Sequence, residues 1–137
     1  MMTKSNSGVP LQVVLRFDAL TCAVMGVLLV GASGWIAGLT ALPSELLFWA
    51  GLALFPVAVF MGVFAFAGQV PVWASSLVVA GNLLWVLASL LLPLTGLFAP
   101  NVLGWAFLLA QAVVVLCFTW LEWKAARPQP VIAQPLA

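Results

Sequence analysis

The sequence predicts an all-α polytopic membrane protein, a bundle of four transmembrane helices with both termini on the cytoplasmic side. Three observations lead there. First, 66% of the 137 residues are apolar and 5% are charged, whereas a soluble domain is about 45–50% apolar and about 25% charged. A chain this short cannot hide so much apolar surface from water and needs a bilayer as part of its solvent. Second, the apolar residues fall into runs over about 11–30, 45–67, 71–92 and 101–123, each near the ~20 residues that cross a hydrocarbon core. Third, all 4 Lys and Arg (Lys4, Arg16, Lys124 and Arg127) lie at the two ends of the chain. An even number of spans returns both ends to one side, and the excess of positive charge makes that side the cytoplasm.

Taken in order, residues 1–10 (MMTKSNSGVP) are polar and read as a disordered tail, with Pro10 suited to the first turn of a helix. The first span contains Arg16 and Asp18. Its end, Val30-Gly31-Ala32, resembles a signal-peptidase site, but Asp18 interrupts the apolar core that a signal peptide requires, so the run is read as a retained span. Residues 31–43 (GASGWIAGLTALP) are small and apolar and read as an interfacial segment anchored by Trp35. Pro43-Ser44-Glu45 is a helix start, with Ser44 as the expected cap and Glu45 in the first turn. Pro56 lies in the middle of the second span and predicts a bend, because its ring removes a backbone hydrogen bond. Gly68-Gln69-Val70-Pro71 is a tight turn that makes the second and third spans antiparallel neighbours.

The third span, PVWASSLVVAGNLLWVLASLLL, holds no charge yet places Ser75, Asn82 and Ser89 seven residues apart. That spacing drifts only ~20° per repeat on a straight helix, so the polar stripe turns toward other helices. Pro93, Thr95, Gly96 and Pro100 mark the next turn. The fourth span is expected to end at a water boundary set by Glu122, Lys124 and Arg127, and the Pro-rich tail 126–137 reads as disordered. Trp35, Trp49, Trp73, Trp105, Trp120 and Trp123 fall near predicted boundaries, as aromatic belts do, and with Arg16, Lys124 and Arg127 they serve as topology anchors. Trp85 stands apart, near mid-membrane and beside Asn82.

Composition removes several function classes. A net charge of +1 gives no basis for a nucleic-acid partner. With 0 His, His-ligated haem, most catalytic zinc sites and His-based triads are excluded within this chain, and no cofactor or metal is expected. Cys22 and Cys117 sit in apolar runs without metal-ligand spacing and read as small core residues. There is no phosphate loop, GxSxG or HExxH, and no paired carboxylates on one helix. A catalytic role is therefore not expected.

Three polar groups inside the spans remain as the candidate intramembrane site: Asp18, Asn82 and Gln111. At ~1.5 Å per residue, Asn82 lies ~16 Å above the cytoplasmic end of its span and Gln111 the same distance above Glu122, so the two amides are expected at one level. They read either as a hydrogen-bonded helix contact, the common use of such amides, or as part of a polar site. Asp18 shares a face with Cys22 and Gly26 at four-residue spacing, which turns it toward the bundle, with Ser75, Trp73 and Thr119 at a suitable depth to bind it. Arg16, two residues away, points elsewhere and reaches the headgroups. Two functions fit. One is a non-catalytic accessory, assembly or stabilising component of a larger membrane complex. The other is a small oligomeric transporter or channel using Asp18 with Asn82 and Gln111 as its polar path. The expected partners are the lipid bilayer and either other membrane subunits or further copies of this chain.

The order of LRFDA opening the first span, ALP before the second, NLLWVLASLLL in the third and GWAFLLAQAVVV leading to LEW in the fourth resembles a group of small, uncharacterised bacterial inner-membrane proteins of four helices. The resemblance covers about residues 11–127. It implies a multi-pass protein of the bacterial inner membrane and brings with it no activity and no functional residues.

Overall fold

The computed structural model describes residues 10–127. Disorder was expected for tails that fall mainly on residues 1–9 and 128–137, which lie outside the described residues. Five α-helices form: α1 (Leu11–Gly31), α2 (Ser33–Thr40), α3 (Ser44–Ala65), α4 (Val72–Leu91) and α5 (Val102–Ala126). A 3-10 turn, Leu92–Thr95, extends α4, and there is no strand among the described residues. The helices α1, α3, α4 with its extension, and α5 are each long and apolar enough to cross a membrane. The architecture is the four-helix membrane bundle that the sequence predicts.

Prolines set most of the starts. Pro10, Pro43 and Pro71 occupy the position just before α1, α3 and α4, where a missing N–H is no loss and a fixed φ feeds the helix. Ser44 is therefore the first residue of α3 and makes no capping bond, contrary to the expectation from Pro43-Ser44-Glu45. The helix α3 continues through Pro56 without a break. Residues 31–43, expected to form an interfacial segment, supply the two-turn helix α2, with Trp35 71% exposed. The last helix runs to Ala126 rather than ending near Trp123, which matters for the site below.

The closest packing is of α1 on α3 and of α4 on α5, with α1 also meeting α5. The turn at 68–71, expected to make α3 and α4 neighbours, brings them together mainly at Trp73 against Phe60 and Phe64. Two core clusters form. Leu15 of α1 meets Met61 and Ala65 of α3 and Val78 of α4 at the end that holds the chain termini. Leu29, Leu42, Leu47 and Leu54 pack together toward the opposite end. Between them α1 crosses α3 at Gly26 and Gly51. A Cβ on Gly51 would lie 2.7 Å from Leu29 Cβ and 3.1 Å from the Gly26 carbonyl oxygen, so only hydrogen fits there and the two backbones approach closely.

The outer end is tied by Asn101. Its Oδ1 accepts from the Gly104 amide (2.9 Å), capping α5, while its Nδ2 donates to the Leu39 carbonyl (2.9 Å) and its backbone N–H to the Thr40 carbonyl (3.1 Å). One residue thus satisfies the start of α5 and the end of α2 together. Gly104 lies under the Thr40 backbone with no room for a Cβ. Around the outside, Phe17, Leu20, Val27, Leu84 and Val113 are exposed. No more than 28% of any span's most apolar stretch is buried within the bundle, so the remaining apolar surface requires lipid.

Candidate functional site: a carboxylate–amide–carboxylate cluster

Asp18 of α1, Asn82 of α4 and Glu122 of α5 meet inside the bundle. Each follows from local helix geometry. Asp18 lies on the face of Cys22 and Gly26 that packs toward the other helices, and it is 2% exposed. Asn82 continues the stripe begun by Ser75, and both are buried, while Ser89 is half-buried. Glu122 lies three residues from buried Thr119 and faces inward with it, whereas Lys124, two residues on, faces outward.

The Asn82 side chain organises the cluster. Its Nδ2 donates to Asp18 Oδ2 and to Glu122 Oε2, each at 3.0 Å. The second oxygen of Asp18 accepts only the weak thiol bond from Cys22, at 3.7 Å. The second oxygen of Glu122, Oε1, is buried without any partner. Two acidic groups are therefore held against a single amide nitrogen. No cation of the described chain reaches them. Arg16, Lys124 and Arg127 lie over the rings of Phe66, Trp120 and Trp123 at 4.6, 4.9 and 4.4 Å, anchored at the end of the bundle that holds the termini. Any charge the pair carries must be balanced by protons or by a cation from outside the described residues.

Glu122 is the residue that sequence reasoning misplaced. It was read as part of a water boundary and is instead fully buried, 0% exposed. The physical reason is that α5 continues one turn past it and its charges alternate faces. A readable signal existed: Ala112, Thr119 and Glu122 recur on one helical face, the same small-residue logic that turned Asp18 inward.

That misplacement also displaced Gln111. The expected Asn82–Gln111 hydrogen bond does not form. Gln111 Oε1 accepts from Trp85 Nε1 at 2.6 Å, and Gln111 Nε2 donates to the Leu108 carbonyl at 3.1 Å. Ser75 and Thr119, expected near Asp18, donate instead to their own helices, at Val72 and Val115. Trp73 packs against Phe60 and Phe64 and is 60% exposed. The other anchors, Trp49, Trp120 and Trp123, are exposed as well.

Two cavities adjoin the cluster. One, of about 400 Å³, lies between α1, α3, α4 and α5 on the outer side of Asp18; its polar lining is Asp18, Thr21, Cys22, Trp85, Ser89 and Gln111 amid apolar residues. The other, of about 360 Å³, lies between Pro56, Val57 and Phe60 of α3 and Leu77, Val78 and Gly81 of α4, and reaches Asp18 and Asn82 from that side. Asp18, Cys22, Leu54, Trp85 and Val115 line both. Asp18 thus borders both spaces. Among the described residues no cluster of His, Cys, Asp and Glu is arranged to hold a metal ion. No family model matches the chain, and no curated protein and no solved structure is significantly similar to it.

Proposed function

We propose that the protein is a small proton-linked carrier of the bacterial inner membrane, with both termini in the cytoplasm. Asp18 and Glu122 form its proton site and the cavity beside Asp18 its binding space. The observation that carries this reading is the pair of buried acidic groups sharing the Asn82 amide with no cation among the described residues beside them. Ionisable groups inside a membrane are costly, by about 2.5–3.5 kcal/mol for an aspartate at the centre on insertion scales. A bundle that only needed to pack would be served by apolar residues in their place. An accessory role leaves the unbalanced pair without a purpose, whereas proton exchange uses it. The three described cations at one end of the bundle support the orientation.

The mechanism follows from the placement. Of the two acids only Asp18 lines the cavities, and it lines both, so a proton entering from either reaches Asp18 before Glu122. Asn82 holds the Glu122 carboxyl against the same nitrogen, so protonation of one acid changes the hydrogen bonding of the other. The helices carrying the three groups are thereby coupled to the proton load. The test is a pH jump on proteoliposomes adsorbed to a capacitive electrode. The parent protein is expected to give a transient current that Asp18→Asn abolishes while the helical spectrum and detergent-phase elution stay unchanged. Currents of equal size in parent and variant, or none in the parent, would overturn the reading.

A further inference from the structure

We infer that the cavity of about 400 Å³ beside Asp18 binds a hydrophobic organic monocation, of the ammonium or phosphonium class, in exchange for a proton from the Asp18–Glu122 pair. The inference rests on the carrier reading and specifies its cargo.

The size falls within the ~300–1,000 Å³ of small-molecule sites. Its chemistry selects the ligand. The hydroxyl and indole donors in the lining are already spent: Thr21 on the Phe17 carbonyl, Ser89 on the Trp85 carbonyl and Trp85 on Gln111. A quinone or an anionic headgroup, which needs such donors, finds few. What the space offers is an acidic group and the aromatic side chains of Trp85, Phe98 and Phe107. A cation with apolar substituents is attracted to both, since ring faces draw positive charge and the apolar walls accept the rest.

An independent observation points the same way. Glu122, which lines neither cavity but shares the Asn82 amide with Asp18, is fully buried and its Oε1 has no partner, so the cluster behind the cavity carries an unused acceptor with no donor among the described residues. The titratable groups at the site are Asp18 and Cys22 on α1 and Glu122 on α5; α3 carries only Glu45, in its first turn at the far end, and α4 carries none. One cation entering as one proton leaves keeps the charge of the site constant, with no bond to carbon or phosphorus made or broken. Entry is from the lipid: Leu46, Leu92 and Val114 line the cavity and are also exposed on the outside of the bundle.

The test uses the purified full chain in detergent, with tetraphenylphosphonium as the probe, in weakly buffered solution. Equilibrium dialysis and a pH electrode are expected to show saturable binding with release of one proton per ion bound. Asp18→Asn and Glu122→Gln should each weaken binding more than tenfold and abolish proton release. Ala88→Phe, which narrows the cavity, should weaken binding about tenfold. Triphenylphosphine oxide, neutral and similar in shape, should not compete. Equal binding by the Asp18→Asn variant, competition by the neutral analogue, or binding without proton release would overturn the inference. If the pH-jump current is Asp18-dependent but the phosphonium does not bind, the cargo assignment fails and the carrier reading stands. If the current is absent altogether, the carrier reading itself fails.

Discussion

Asn82 bonds with one nitrogen to two acidic side chains from two other helices. Replacing it by leucine keeps the bulk but leaves buried acceptors on both Asp18 and Glu122 without a donor, a loss of about 1–3 kcal/mol for each unsatisfied group before relaxation. Thermal unfolding in detergent, followed in a Cys117→Ser background by the exposure of half-buried Cys22 to a thiol-reactive dye, should therefore show Asn82→Leu unfolding at clearly lower temperature than the parent. A variant as stable as the parent would mean that the amide bridge carries no load. Asp18 and Asn82 stood out in the sequence because each interrupts a long apolar run. Glu122 did not, because Trp123, Lys124 and Arg127 beside it look like the end of a span. Proximity to other charges in sequence says little about a helical residue whose neighbour two positions on faces the opposite way.

Helix pairs are fixed by small residues at specific crossings. At Gly51 α1 and α3 come close, with Leu29 Cβ and the Gly26 carbonyl in the space a side chain would take. Gly51→Val should force α1 off α3 and destabilise the bundle by about 1–3 kcal/mol, as overpacking does. Denaturant titration in mixed micelles measures this, and unchanged stability would show that the crossing yields. Helix existence and approximate limits were legible because apolar runs of this length have one common meaning. The crossings were not. Gly26 could be suspected from its place in the Asp18–Cys22–Gly26 face, but nothing in a single sequence pairs it with Gly51. Likewise Asn101 looked like the first residue of a span and is in fact a clasp between two helices, because its partners Leu39 and Thr40 lie some sixty residues away.

At the scale of the whole molecule, Arg16, Lys124 and Arg127 gather at one end and Glu45 begins a helix at the other. A fluorescent protein fused after Ala137 should fold and shine, and an export-dependent phosphatase at the same place should stay inactive. The reverse result would invert the orientation. That successive spans alternate in direction was readable from the short turns and the charges, but that α1 packs on α3 and α4 on α5 was not. The looseness of the centre was not, since cavities depend on how four helices lean together rather than on any one of them. The spread of the acidic cluster along the chain has a last consequence, for biogenesis. Asp18 leaves the ribosome first, and its amide partner follows only 64 residues later. Until α4 enters the membrane, the aspartate sits in an unfinished hairpin with the weak Cys22 thiol as its sole bonding partner. A nascent chain stalled after α3 should therefore remain beside the insertion machinery, where site-specific crosslinking would find it, and be released into lipid once α4 and α5 have arrived.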